Sequence, residues 1–107
     1  MLDEAITACK RALNLDPQEA DAYNNLGNAY LKKGELDKSI SVYKKALTIK
    51  PELAEAHANL GIAYYYKEAY TSAIVHLDKA VKLGARVDPK LLELLKPHRK
   101  GFLKNSK

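Results

Sequence analysis

The groups in this sequence able to perform acid–base, nucleophilic or metal chemistry are few: His57, His76, His98, the lone thiol Cys9 and scattered carboxylates. A metal site needs several such groups converging on one ion, and in sequence this shows as short, regular ligand spacing. The three histidines are far apart and share no such spacing, so no metal site is expected. His57 reads as a packed or half-buried ring, and Cys9, in an apolar slot, as a small buried thiol. There is no Gly-rich phosphate loop and no nucleophile motif. No catalytic residue and no cofactor are assigned, and the chain reads as non-enzymatic.

Amide chemistry is a different matter. Asn25 and Asn59 lie 34 residues apart. A side-chain amide both donates and accepts, so it can pair bidentately with the backbone of an extended peptide. Repeated once per structural unit, it would hold main chain without reading sequence. The alternative is that both asparagines are merely solvated, and the residues alone leave the two readings open.

For that spacing to matter, the elements carrying the asparagines must repeat, and they do. Residues 20–53 and 54–87 are identical at eleven of 34 positions, where chance gives about two at average residue usage. Residues 2–19 align with the second half of the same unit: Ala5, Ala12 and Pro17 fall where Ser39, Ala46 and Pro51 fall one period later. Each unit reads as two amphipathic helices. Ala22, Tyr23, Leu26, Gly27 and Tyr30 make one stripe, and Gly34 supplies the left-handed residue that stops it. Leu36, Ile40, Tyr43, Ala46, Leu47 and Ile49 make a second, and Pro51 prevents further helix. Gly27, Ala46, Gly61 and Ala80 are small where helix axes must approach closely, while Tyr30 and Tyr64 fill the gaps beside them. No strand-like alternation competes, and the chain reads as all-α.

Composition bounds what remains. A chain of 107 residues with 47% apolar and 29% charged residues is one globular domain rather than a disordered segment. No apolar run approaches the ~18–20 residues that span a bilayer, and the acidic start Met1-Leu2-Asp3-Glu4 is unlike a secretory leader. A single cysteine excludes an internal disulfide and fits a reducing compartment, so a cytoplasmic location is expected. The net charge is +5, but residues 88–107 carry +4 of it, leaving the body nearly neutral. Nucleic-acid binding through a dedicated basic face is therefore not expected, and the basic tail reads as a solvated terminus.

The motif Tyr23-x-x-Leu26-Gly27-x-x-Tyr30 followed by Ser39, Tyr43, Ala46 and Pro51 resembles a tetratricopeptide repeat (TPR). So does His57-x-x-Leu60-Gly61-x-x-Tyr64 with Ala73, Leu77 and Ala80. The resemblance covers roughly residues 2–100. It implies an all-α, right-handed superhelical stack of antiparallel helix pairs, with helices at about 3–15, 20–33, 37–49, 54–67, 71–83 and 89–97: a half repeat at 2–19, full repeats at 20–53 and 54–87, a solvating C-terminal helix at 88–100, and a tail at 101–107. Gly84 then caps the last paired helix, Asp88 caps the closing helix with Pro89 in its first turn, and Pro97 ends or kinks it. Past Gly101 fraying is expected, with Phe102 and Leu103 folding back.

The resemblance also implies a protein-interaction module that binds a peptide or partner protein in the concave groove lined by the first helix of each pair. Mapped onto this chain, that face carries Asp21, Asn24, Asn25, Asn28, Leu31 and Lys32, then Glu55, Ala58, Asn59, Ile62, Tyr65 and Tyr66. The partner-contact candidates are Asn24, Asn25, Asn28, Asn59, Ile62, Tyr65 and Tyr66. The Asn25/Asn59 pair resembles the asparagine ladder of O-linked N-acetylglucosamine transferases. Tyr65 and Tyr66 are either partner contacts or a cover for the closing helix, packed on Leu92 or Leu95. A carboxylate clamp of the kind that holds chaperone C-termini is not expected. Asn28 and Asn59 match it, but Asn24, Pro89 and Glu93 stand where its three cations belong, so no charge-assisted bond to a carboxylate would form.

Self-association is the competing reading. The first helix lacks its repeat partner, so Ile6, Cys9 and Leu13 would form an apolar edge, and either the chain is a piece of a longer array or that edge pairs with a second copy. Glu68 stands where Gly34 stands one period earlier, so residues 67–70 either pay for a left-handed residue or fuse two helices and favour a domain-swapped homodimer.

Overall fold

A computed structural model describes the backbone of residues 2–105 and the side chains of residues 2–99. It contains six helices: α1 (Leu2–Leu15), α2 (Ala20–Lys33), α3 (Leu36–Ile49), α4 (Ala54–Tyr66), α5 (Tyr70–Lys82) and α6 (Pro89–Asn105). Among the described residues there is no strand, and no helix is long and apolar enough to cross a membrane. The helices pack in chain order, α1 on α2, α2 on α3, α3 on α4, α4 on α5 and α5 on α6, and α2 also approaches α4. This is the all-α stack of helix pairs that the period implies.

The close approach within each pair is set by a glycine. A Cβ placed on Gly27 would lie 2.5 Å from Tyr43 Cε1, and one on Gly61 would lie 2.6 Å from Leu77 Cγ. These contacts are one period apart, so the same crossing of first helix over second is built twice. Ala46 and Ala80 are fully buried in both pairs, where larger side chains would push neighbouring helices apart. Leu60 and Ala63 of α4 join Ile40 and Tyr43 of α3 in one apolar cluster, and Leu95 of α6 joins Ala73, Ile74 and Leu77 of α5 in the next. Each second helix is thereby sandwiched between two first helices.

The turns repeat as well. Gly34, at φ 83°, ends α2: its N–H bonds the Leu31 carbonyl and the Glu35 N–H reaches back to Tyr30. Glu68, at φ 64°, ends α4 with the equivalent bonds to Tyr65 and from Ala69 to Tyr64. Gly84, at φ 97°, does the same for α5 through Val81 and Ala80. All three are the two-bond left-handed cap that satisfies the last helical carbonyls. The fused helix considered for residues 67–70 is therefore not formed. Two cap hydrogen bonds and the packing of α5 on α4 outweigh the cost of a left-handed Glu68, of order 1–2 kcal/mol.

At the first helix the structure departs from the apolar edge expected at Ile6, Cys9 and Leu13. Ile6 is buried against Leu26, Ala29 and Tyr30 of α2, with Cys9 and Leu13 packed on the same cluster. Burial also pushes the Cys9 thiol pKa above its ordinary value. The face α1 leaves open carries Ala5 and Ala8, exposed, Ala12, partly so, and at its end Leu15, which is 89% exposed. Ion pairs register the units at their opposite ends. Asp3 pairs with Lys33 at 2.7 Å, and Asp37 pairs with Lys67 one period later. Both are exposed and contribute little stability.

The closing helix also differs from expectation. Asp88 caps it as predicted, its carboxylate accepting the Lys90 N–H at 2.9 Å, with Pro89 in the first turn. The helix does not stop at Pro97, however, and its backbone continues past Gly101 to Asn105. Pro97 and Glu93 are both exposed, so the Glu93 carbonyl that Pro97 cannot satisfy lies on the hydrated side, where the loss is least costly. Beyond the proline, His98 stacks on Tyr70 at 3.9 Å and Arg99 forms a two-pronged ion pair with Asp78, tying α6 back to α5. The fold-back expected of Phe102 and Leu103 lies outside the described side chains. Leu95 is fully buried against Ala73, Ile74 and Leu77 of α5, as Leu60 is against Ile40 and Tyr43 of α3, and Lys96 beside it is exposed.

Two stability changes follow. Gly27→Ala forces a methyl into the Tyr43 ring, an overpacking cost of about 1–3 kcal/mol against a helix-propensity gain of at most ~1 kcal/mol, so the urea midpoint should fall. Glu68→Gly relieves the left-handed strain and should raise stability by about 1 kcal/mol in the same titration.

Candidate partner-binding groove

The residues mapped to the concave face come from α2 and α4, which lie side by side because each packs on α3. The structure sorts them into internal struts and free groups. Asn24 is buried, at 3% exposure, and its carbonyl oxygen accepts a hydrogen bond from Asn59 Nδ2 at 3.2 Å. This bond joins α2 directly to α4, and it connects Asn59 to Asn24 rather than to its period mate Asn25. Asn25 itself is exposed. Asn28 Oδ1 accepts from the Tyr43 hydroxyl at 2.6 Å, linking α2 to α3. Desolvation of the fully buried Tyr43 pushes its phenol pKa far above the usual tyrosine range, so it remains a donor at any physiological pH.

These struts decide what is left for a ligand. With one carboxamide end engaged, Asn28 keeps its NH2 group and Asn59 keeps its carbonyl oxygen and one N–H. A donor and an acceptor thus stand on adjacent helices, the pairing a peptide unit requires. Asn28, Glu55, Ala58 and Asn59 line one open cleft of about 530 Å³ together with Gly84, Ala85 and Arg86. The last three belong to the α5–α6 connection and are not first-helix residues. Sequence reasoning missed them because the 34-residue period places only helices on this face. The signal available was the replacement of Pro51 by Ala85 and the displaced stop at Gly84.

Ile62 is half-buried. The two tyrosines divide between the readings left open for them. Tyr65 packs on the cluster containing Leu92 and Leu95, covering the closing helix. Tyr66 is 61% exposed, its ring meeting Tyr65 edge-on at 5.8 Å. Through Tyr65 this aromatic line continues to Tyr70 and His98.

The histidines hold the largest surprise. Their separation in sequence argued against proximity, yet the α4–α5 hairpin brings His57 and His76 to 3.2 Å between Nδ1 atoms. Among the described residues no group of three or more metal-ligating side chains converges.

Comparison with known proteins agrees with this architecture. A family model described as TPR repeat matches residues 2–34 and 27–67. A solved structure described as the crystal structure of MamA is 38% identical, with a TM-score of 0.72, and the match covers 77% of this chain and 48% of that one. The chain thus spans about half the length of that relative. In all, 149 solved chains match, a breadth in keeping with a scaffold that hosts many functions. No curated protein matches.

The strut between Tyr43 and Asn28 gives a direct test. Tyr43→Phe keeps the ring that fills the Gly27 crossing and removes only the hydroxyl donor. Stability should fall by about 1 kcal/mol in urea unfolding, with helicity by circular dichroism unchanged.

Proposed function

The chain belongs to the tetratricopeptide-repeat family, a family of protein-interaction scaffolds, and from that premise we propose that its concave groove holds an extended segment of a partner protein. The observation that carries this reading is the polar cleft at Asn28, Glu55 and Asn59, where the internal hydrogen bonds leave a free amide donor beside a free amide acceptor. A passing peptide backbone offers a carbonyl to the donor and an N–H to the acceptor. Each such bond contributes only about 1 kcal/mol net, so affinity comes from several of them along a preformed surface. Exposed Asn25 extends the donor–acceptor row toward the start of α2, and exposed Tyr66 supplies a rigid aromatic contact at the other end.

Charge complements this reading. Asp21 and Glu55 on the helices and Arg86 at the α5–α6 connection are exposed, so the groove carries both signs rather than one. It suits a segment of mixed charge and lacks the cationic cluster that a purely acidic tail would need. Self-association is not the favoured reading, because Ile6, Cys9 and Leu13 are spent on packing α1 against α2.

Selection of peptides from a random displayed library on the immobilised domain tests the proposal. Selected sequences should bind Asn25→Ala/Asn59→Ala at least about tenfold more weakly than wild type, the loss of one to two hydrogen bonds. Helicity and unfolding midpoint must be compared in parallel, since Asn59 also supports Asn24. Peptides that bind the folded double variant equally well would place the interaction outside the groove.

A further inference from the structure

His57 and His76 face each other across a shallow cleft on the side of the stack lined by Lys44, Leu47 and Thr48 of α3. Their Nδ1 atoms are 3.2 Å apart and their ring centroids 5.4 Å apart, with 22° between the planes. The centroid distance exceeds the nitrogen distance by about two ring radii, so both Nδ1 atoms lie close to the line joining the centroids. The rings are therefore nearly coplanar and meet edge to edge, lone-pair direction against lone-pair direction. Two imidazole nitrogens on one tetrahedral metal ion would aim their lone pairs at a point off the line between them, whereas these two aim along that line at each other. The gap fits one proton in an N–H···N hydrogen bond.

The second ring nitrogen of His57 fixes which atom carries that proton. His57 Nε2 lies 2.9 Å from the Pro51 carbonyl oxygen, which can only accept, so Nε2 bears hydrogen. A neutral His57 then presents its lone pair at Nδ1, and the donor in the contact is His76 Nδ1–H. One additional proton can enter at His76 Nε2 with the hydrogen bond kept. A further one must go to His57 Nδ1, which sets N–H against N–H at the same time as two positive charges. The surroundings offer no relief: Lys44 on α3 adds a cation, Tyr64 on α4 stacks on the His76 ring at 5.6 Å, and no carboxylate lines the cleft among the described residues.

We propose that His57 and His76 form an acid-opened latch between the Pro51 turn, α4 and α5, closed while the pair holds at most one positive charge and parted by the next proton. The first repeat shows that this is an addition to the scaffold and not a requirement of it, because Tyr23 and Val42 occupy the equivalent positions. Burial, the neighbouring His57 and Lys44 together hold the His76 pKa below its usual value. The sign follows from linkage. The unfolded chain binds the His76 proton at a higher pH than the folded chain does, so the stability carried by a neutral His76 is complete above about pH 6.5 and is lost as pH falls from there toward the lowered folded value; this first proton leaves the ring contact closed.

Nitrogen-15 imidazole spectra of the wild-type chain test the latch without any substitution. At pH 7.5, His57 should appear as the Nε2–H tautomer and His76 as the Nδ1–H tautomer. On acidification, protonation of His57 Nδ1 should coincide with loss of the nuclear Overhauser contact between the rings. A different tautomer pair, or a His57 that titrates with the ring contact intact, overturns the proposal. His57→Tyr/His76→Val, which copies the first repeat, supplies the second arm. Between pH 7 and 5 the folding constant of wild type should fall by up to about tenfold per pH unit more than that of the variant, the limit for one proton. Equal pH dependence in the two proteins would also overturn it.

Discussion

Every other contact in this molecule presupposes the crossing of Gly27 over Tyr43 and of Gly61 over Leu77. Because neither glycine carries a Cβ, the two helices of a pair can close until backbone meets side chain. That distance fixes how deeply the second helix sits, and so which of its residues reach the next first helix. Ile40 and Tyr43 can touch Leu60 and Ala63 only because Tyr43 is already pressed against α2. Tyr43 serves two neighbours at once, and its hydroxyl emerges on the far side to hold Asn28. The core geometry and the groove chemistry are thus joined through one ring.

The same packing recurs at α6, where fully buried Leu95 closes the core behind α5. Helix α6 is held by anchors at both ends: Asp88 at its start, and His98 and Arg99 beyond Pro97. At the opposite end helix α1 presents Ala5, Ala8 and Ala12, whose exposure costs little hydrophobic free energy, and the larger Leu15 beside them.

Polar side chains take up the slots the apolar scaffold leaves over, and the two full repeats use them differently. In the first pair Tyr23 and Val42 occupy positions that His57 and His76 hold in the second. In the groove, Asn24 is drawn inward to receive Asn59, whereas the equivalent of Asn24 in the second repeat is Ala58. A buried amide must find a partner, and the one available was on the neighbouring helix. This pairing turns a polar stripe into a tie between repeats, and its unspent lone pairs and hydrogens become the chemistry of the surface.

Periodicity made the elements legible from sequence. Apolar stripes at helical spacing, glycine or proline at their ends and a 34-residue repeat located all six helices to within a residue or two at nearly every boundary, because those signals act locally. Local signals could not show that Glu68 would take the glycine's conformation, since that depended on whether docking α5 repaid the strain. Nor could they show that Pro97 would be carried inside a helix, which rested on partners for His98 and Arg99, Tyr70 and Asp78, on the preceding helix. The pairings Asn59–Asn24 and His57–His76 were hidden for the same reason: each joins residues whose separation, 35 and 19 positions, has meaning only after the helices are stacked. The sequence by itself determined the repeat, the helices and their buried stripes. The tertiary structure alone decided which polar atoms are spent inside the fold and which remain free, because a hydrogen bond is settled by distances of a few tenths of an ångström that no spacing rule encodes.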